Sequence, residues 1–245
     1  MQLSEAEAAV CRQLGIDVTD VLAGTNTLFS QADIDSYINT GTKRAWSYKP
    51  WTFTEKTYML TIQAGFIGYI DYPNTFEDES AFRLEVPAIG EFKKKVFADY
   101  QKWFADYPTS TDRIWTEHER FIFINPLAVT AGQEVDISGK LRAPFLVNST
   151  DLLPFSPTSD NQENSGNDAI VLFAYAEALA SDKKQNTPGA RDQEGRALSI
   201  LDTLWAPIGE LRAQKNSQNR PFFNTQNLFP DRRSTRFDTN IGNFP

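Results

Sequence analysis

Apolar residues recur at helical spacing through the first fifty residues of the chain. Ser4-Glu5-Ala6-Glu7 predicts a capping box, and the helix that it opens is expected to end at Gly15. A second helix is predicted to begin after Ser30, because Ser30 can cap it and Asp33 stands at its third position. The positions that follow at helical spacing are Ile34, Tyr37, Ile38, Gly41 and Ala45.

From Trp51 onward the spacing of apolar residues changes from about four to about two. Alternation of apolar and polar residues is typical of half-buried antiparallel strands, and three stretches show it: residues 56–62, 82–86 and 134–141. In the second stretch, Phe82 is expected on the same face as Leu84 and Val86.

Two further stretches of the same region have a different pattern. RFIFINP, residues 120–126, is apolar on both faces and predicts a central strand. EFKKKVFADYQKWF, residues 91–104, is rich in aromatic residues, and we assign strands to it as well. About six to eight short strands are thus expected between residues 52 and 143, which is enough for a small sandwich or a curled sheet.

Helical patterns return after a long loop at residues 146–167. Loops of this length without internal structure are uncommon unless they bind something. The helix that begins at Asn167 is apolar nearly all round, which indicates burial at the centre of the protein or between subunits. The last helix is predicted to open at Thr187-Pro188, with a kink rather than an end at Pro207.

The order of helices, strands and helices predicts an α+β chain. Residues 1–50 and 144–219 are expected to form a helical bundle. Residues 51–143 would be an antiparallel β-sheet or sandwich domain inserted into that bundle. Residues 220–245 have no periodicity and are predicted to be an extended C-terminal arm.

The charge of the chain is unevenly distributed. The last 26 residues carry four Arg and two Asp, and residues 1–219 carry the other 20 basic and 30 acidic side chains, a net charge of −10. An acidic body argues against a phosphate-binding surface, because affinity for nucleic acids comes largely from Lys and Arg. It is compatible with a protein that DNA only passes by.

Cysteine content and hydropathy narrow the class of protein further. Cys11 is the only cysteine, so the chain has no internal disulfide, and synthesis in a reducing compartment is expected. The N-terminal sequence does not resemble a signal peptide, and no stretch approaches the ~20 apolar residues of a membrane span. We therefore expect a soluble protein without a membrane partner.

No catalytic, metal-binding or cofactor-binding pattern is predicted. His118 is the only histidine and lies between Glu117 and Glu119, but neighbouring strand residues face opposite sides, which favours a solvated hairpin over a ligand cluster. The acidic run at residues 77–79 is interpreted as solvated, with cation binding as a weaker alternative. Lysines 93–95 fit either a protected edge strand or a binding patch.

The five tryptophans leave one alternative open. Trp46 and Trp205 lie on apolar helical stripes and are expected in the core. Trp51, Trp103 and Trp115 lie near predicted strand ends, where an exposed platform would suit a carbohydrate- or receptor-binding β module.

The layout resembles the head–tail adaptor (connector) proteins of tailed bacteriophages, which include tail tubular protein A. The likeness covers about residues 28–212. The stretches that carry it are residues 34–46 with 51–53, 68–73, 121–127, 137–144 with 151–155, and the alanine-rich helix 168–182.

The resemblance implies a structural virion protein of the neck or tail, assembled in the cytoplasm of the bacterial host. Such proteins form a homo-oligomeric ring, typically of twelve copies, between the portal protein and tail proteins of the nozzle or tube. Genomic DNA would pass through the lumen without sequence-specific binding. No enzymatic activity is expected.

Under the same reading, residues 220–245 are a docking arm. Twenty-six residues reach at most about 86 Å when extended, which is enough to cross onto the portal or a neighbouring subunit. Isolated Phe side chains can fill pockets on the partner, and Arg side chains can pair with its carboxylates. The alternative is an arm that folds back on its own subunit. The residues predicted to bind the portal or a neighbour are Phe222, Phe223, Phe229, Arg232, Arg233, Arg236, Phe237 and Phe244.

Overall fold

A computed structural model describes residues 1–155 and 166–219 of the chain. The centre of the predicted 146–167 loop and every residue of the predicted arm lie outside the described residues. The chain divides into two units, Met1–Leu201 and Asp202–Pro245. The first unit is mixed α+β, as the sequence predicts, and contains one curled sheet.

The first helix, α1, spans Leu3–Leu14. The predicted cap at Ser4 is wrong, because the capping box pairs Gln2 with Glu5, whose Oε2 accepts the Gln2 amide at 2.7 Å. Gln2 forms an isolated β-bridge with Leu152, which holds the chain extended up to the helix start. The predicted end is confirmed, since Gly15 has the left-handed φ of 70° that favours glycine.

Two helices follow before the sheet. Helix α2 spans Val18–Leu22, and helix α3 spans Gln31–Tyr48. The capping box predicted for α3 is confirmed: the Ser30 amide donates to Asp33 Oδ2 at 2.8 Å, and the Asp33 amide donates to Ser30 Oγ at 3.3 Å.

Seven strands form a single sheet in the order β1-β7-β3-β4-β5-β6-β2, within the predicted number. All neighbouring strands pair antiparallel except β4 and β5. One short 3₁₀ turn, Thr52–Thr54, precedes β1, and another, Pro126–Ala128, lies between β6 and β7. The strands are β1 Glu55–Thr61, β2 Tyr69–Asp71, β3 Phe76–Val86, β4 Gly90–Lys94, β5 Ile114–His118, β6 Phe121–Ile124 and β7 Glu134–Leu141.

One face of the sheet carries the core of the β region. Phe76, Trp115 and Ile137 are fully buried there. Gly139 in β7 makes room for Phe76, because a Cβ on Gly139 would lie 2.5 Å from the Phe76 ring. The strand glycine is therefore required by a close approach and not by a turn.

The expected alternation of β3 breaks at Phe82. The β3–β7 register shifts between Ala81 and Arg83, so Phe82 bulges out and is exposed, while Leu84 and Val86 are buried as predicted. A β-bulge places an extra residue on one strand and reverses the facing of the side chains before it. The prediction for Phe82 is wrong for this reason.

The stretch at residues 91–104 is only half strand. Strand β4 ends at Lys94, and helix α4 follows at Phe97–Asp106 with its aromatic residues spaced three and four apart. Helix α4 packs on β5, and its Phe97 and Tyr100 contact Phe123 of β6. This cover explains why β6 is apolar on both faces, and its interior place in the sheet agrees with the predicted central strand.

Two long helices complete the described chain. Helix α5 spans Gly166–Ala180, is buried nearly all round as predicted, and packs along α3, while α1 contacts both. Gly41 permits this approach, since a Cβ there would lie 2.7 Å from the carbonyl oxygen of Ile170. Helix α6 spans Thr187–Asn219 and continues through Pro207, which therefore does not end it.

Within residues 1–155 and 166–219, no helix has the length and hydropathy that a membrane span requires.

Candidate interaction surfaces

The structure separates Glu117 from His118 and Glu119, whose Nε2 and Oε1 atoms lie 3.7 Å apart. Glu117 is buried beside Trp115, whereas the His118 ring stacks on Phe97 of α4 with centroids 3.9 Å apart. Glu119 lies in the β5–β6 turn with a φ of 46°. Among the described residues, no group of three His, Cys, Asp or Glu side chains is placed to hold a metal ion.

The buried carboxylate of Glu117 has a structural explanation. Its Oε2 accepts the backbone amide of Ala81 at 3.1 Å, and its Oε1 pairs with Lys94. The Lys94 ammonium also donates to the Ala81 carbonyl at 2.5 Å. The pair thus satisfies the backbone groups that the bulge at Ala81 and Phe82 removes from the ladder. Lys94 lies between β3 and β5, so the edge-strand reading of the lysine run is wrong.

Two residues of the acidic run at 77–79, Glu77 and Asp78, pair with neighbouring cations. Asp78 Oδ1 accepts from Arg142 at 2.6 Å and from Arg120 at 2.9 Å, and Glu77 lies 3.2 Å from the Lys140 ammonium. These contacts tie β3 to β7 and to the β5–β6 turn.

Three tryptophans near strand ends are distributed differently from the prediction. Trp51 and Trp115 are buried, so they form no exposed platform, whereas Trp103 on α4 is half-buried. Trp46 is buried as predicted, and its indole N–H donates to the Leu141 carbonyl at 2.9 Å.

A carboxyl pair between α1 and α3 was not predicted from the sequence. Glu7 is 3% exposed, and burial together with a hydrogen bond to Asp35 raises its pKa to about 7. Asp35 Oδ1 is buried and has no hydrogen-bond partner among the described residues. Cys11 is buried close by, as expected, and burial also raises the pKa of its thiol. The only sign of this pair in the sequence is that Glu7 lies on the same face of α1 as the apolar residues Leu3, Ala6 and Val10.

Strand β1 presents the first of three exposed apolar surfaces, which we call the β1 edge (residues 57–61). It is one of the two edge strands of the sheet and pairs only with β7 among the described strands. Its side chains are exposed on both faces, with Tyr58 at 45% and Met59 at 69%.

The second surface, which we call the α4 surface, lies at the other side of the sheet. Its exposed members are Tyr69 of β2, Val96, and Phe104 and Tyr107 at the end of α4, and Tyr107 is 59% exposed. Ring contacts join Tyr107 to Trp103 and Phe104 to Tyr100, and both Tyr100 and Tyr69 contact the half-buried Phe123 of β6. Burial raises the pKa of Tyr100 to about 12.

The third surface, the 143–147 groove, lies between α3 and the segment that leaves β7. Asn39 holds this segment extended, because its Oδ1 accepts the Leu146 amide at 2.8 Å and its amide donates to the Leu146 carbonyl at 3.0 Å. Leu146 is buried, so Phe145 at 77% exposure and Val147 point outward beside a cavity of about 560 Å³.

No family model matches the chain, and the search of curated proteins finds no match for it.

Proposed function

We propose that the chain is a structural subunit of a ring that joins the portal and the tail of a tailed bacteriophage, a head–tail adaptor. Its partners are the portal protein, the tail proteins of the nozzle or tube, and further copies of itself, with twelve copies in the ring. Genomic DNA passes through the lumen, and the C-terminal arm docks on the portal or on a neighbouring subunit.

The observation that carries this proposal is the presence of three separate exposed apolar surfaces on one subunit. The β1 edge and the α4 surface lie toward opposite sides of the sheet, and the 143–147 groove lies against α3. Large exposed apolar residues mark interaction sites when they cluster. A ring subunit needs two different surfaces for its two neighbours and others for the partners above and below the ring.

The arrangement of the helices also supports the proposal. Helices α1, α3 and α5 would be the body of a helical bundle that the sheet interrupts, in the layout that the resemblance implies. The net charge of −10 over residues 1–219 would keep DNA from adhering to the wall of a channel.

Mass photometry of the full chain, alone and with the portal protein of the same phage, tests the ring. We expect one ring-sized species in at least one of the two conditions, and cryo-electron microscopy of that species would give the copy number. A monomer in both conditions would refute the proposal.

Deletion of residues 220–245 tests the role of the arm. We expect the truncated chain to keep the circular-dichroism spectrum and melting temperature of the full chain and to lose affinity for the portal or for further copies of itself. Unchanged portal affinity together with unchanged ring assembly would contradict the docking role.

A carbohydrate- or receptor-binding module of the tail is the second candidate, because Trp103 and Tyr107 place partly exposed aromatic rings in the α4 surface. A glycan array tests it directly. A hit that Trp103→Ala abolishes while ring assembly persists would favour this function, and an array without hits would remove it.

A further inference from the structure

We propose that the β1 edge is completed by residues 222–229 of a second copy of the chain, added as an eighth strand to the sheet. The inference rests on the proposed ring function, and it names the partner of the arm and the place where the arm binds.

Hydrogen bonds next to β1 define which of its backbone groups face outward. The Ile62 amide donates to Gln133 at 2.8 Å, and the Ile62 carbonyl accepts from Gly132 at 2.9 Å, so both Ile62 groups point toward β7. Alternate residues of an antiparallel strand point the same way. Because the β1–β7 register is unbroken, the backbone amides and carbonyls of Leu60 and Tyr58 also point toward β7.

The amides and carbonyls of Thr57, Met59 and Thr61 consequently point away from β7, to the open edge. Three donors and three acceptors in a row are a template for a further strand. Natural edges are usually protected by proline, by a bulge or by inward-pointing charge. The charges of β1 lie at its first two positions, Glu55 and Lys56, whereas residues 57–61, TYMLT, contain no proline or charge and have no bulge in their register with β7.

Exposure of both faces of β1 indicates that the added strand has apolar side chains on both of its faces. Met59 is exposed on the solvent face of the sheet, and Tyr58 is exposed at the margin of the core face, beside the packed Leu60. A strand laid along this edge would contact Tyr58 on one face and Met59 on the other.

Among the residues that follow α6, residues 222–229, FFNTQNLF, could form a strand with apolar side chains on both faces. The run is free of proline and charge, and prolines at 221 and 230 bound it, which limits a paired strand to these eight residues. Phe222 and Leu228 would lie on one face, and Phe223 and Phe229 on the other. Residues 231–238 are less suitable, since they carry five of the six charges of the arm on both faces.

We assign the donor strand to a second copy, because the arm and the β1 edge are different parts of each subunit and can link one copy to the next. Every copy gives its arm to one neighbour and receives an arm from the other, which is the heterologous contact that closes a ring. Backbone pairing supplies affinity in such strand additions, and the side-chain positions supply the register.

Two prolines test the pairing in the full chain. Met59→Pro removes one outward amide but leaves the β1–β7 bonds, whereas Met59→Ala, the matched control, keeps the amide and removes the side chain. Thr225→Pro interrupts the donor run, and Thr239→Pro is its control further along the arm. Assembly is followed by mass photometry across a concentration series, with the portal protein added if the wild-type chain needs it.

We expect Met59→Pro and Thr225→Pro to weaken assembly at least about tenfold, since each breaks the new ladder, and the two controls to change it less than about threefold. Thr225→Pro leaves residues 1–219 unchanged, so it decides the result if Met59→Pro does not fold. Wild-type assembly that both prolines leave unchanged would overturn this inference alone, whereas no wild-type assembly with or without portal would refute the ring function itself. Loss of assembly in Thr239→Pro but not in Thr225→Pro would assign binding to the rest of the arm and overturn the pairing.

Hydrogen exchange distinguishes the second copy from the same chain. Amides of residues 57–61 that face the edge are expected to be protected in the assembled ring and to exchange freely in the dilute monomer. Equal protection at every concentration would mean that the arm binds its own subunit, and it would overturn the inference.

Discussion

Single residues of this protein show how burial and close approach decide what a side chain can do. Glu7 would be a solvated acid in an isolated helix, yet contact between α1 and α3 buries it beside Asp35 and raises its pKa to about 7. Asp33 has the opposite shift, because Lys183 and the cap at Ser30 lower its pKa to about 2. The neighbours of a carboxyl group thus decide whether its pKa is raised or lowered on folding, and therefore at which pH it stabilises the protein.

Glu7 makes the stability of the protein depend on pH in the opposite sense from most acids. Its folded pKa of about 7 is above the ordinary value of 4.5, so its contribution is fully present below pH 4.5 and is lost as pH rises toward about 7. We expect Glu7→Gln to remove this loss and to stabilise the protein at pH 8 relative to the wild type by up to about 3 kcal/mol. Urea unfolding at pH 4.5, 6 and 8 measures it, with Glu119→Gln, an exposed acid, as the control. A difference between Glu7→Gln and wild type that does not grow with pH would contradict the assignment.

Gly41 and Gly195 are both helix glycines, but only Gly41 lies against another backbone. We expect Gly41→Ala to destabilise the protein by about 1–3 kcal/mol, because its methyl group would lie 2.7 Å from the Ile170 oxygen and separate α3 from α5. Gly195→Ala meets nothing within 4 Å and should be neutral or stabilising by about 0.5–1 kcal/mol. Thermal and urea unfolding of the two variants compare them, and equal effects would show that the α3–α5 approach is looser than described.

At the scale of elements, connections between helices and sheet depend on a few specific hydrogen bonds. The chain leaves β7 through residues 143–147 and returns toward the helices, and Asn39 of α3 accepts and donates one hydrogen bond at Leu146 on the way. This contact orients Phe145 and Val147 outward, so it shapes the 143–147 groove as well as stabilising the segment.

We expect Asn39→Ala to cost about 1–3 kcal/mol, since it leaves the Leu146 amide and carbonyl without their partner. Hydrogen exchange at residues 145–148 should rise, while exchange in β3 and β4 stays as in the wild type. Ser36→Ala, an exposed change one turn earlier on α3, is the matched control. An equal effect of both substitutions would mean that Asn39 acts through helix propensity and not through Leu146.

At the scale of the whole molecule, the net charge and the exposed apolar surface both favour contacts with proteins over contacts with nucleic acid. Residues 1–219 are acidic, and eight of the fifteen exposed large apolar residues in the described part of the chain lie at the β1 edge, the α4 surface and the 143–147 groove. Such a body is suited to protein contacts and repels phosphate.

We therefore expect the full chain to have no measurable affinity for a double-stranded DNA of random sequence. Fluorescence anisotropy at about 50 mM salt is the most sensitive condition, because non-specific binding is strongest at low salt. Dissociation constants in the micromolar range that weaken steeply with added salt would contradict a passive channel wall.

Local signals predicted several elements well. The α3 cap at Ser30 and Asp33, the αL end of α1 at Gly15, and the buried surface of α5 all depend on residues within a few positions of one another. The arm residues, which are the binding site predicted from the sequence, lie outside the described residues, so their docking stays a prediction.

Neighbouring residues alone were enough to predict the α+β class, the α3 cap, the approximate number of strands and the acidic body, because periodicity, capping chemistry and charge depend on residues close together in the chain. The bulge that exposes Phe82, the helix at Phe97–Asp106, the Glu7–Asp35 pair and the position of β1 at an open edge became known only from the folded chain. Each of these depends on strand order or on contacts between residues far apart in the chain, where local propensity is overridden by the burial of aromatic side chains and the pairing of backbone groups.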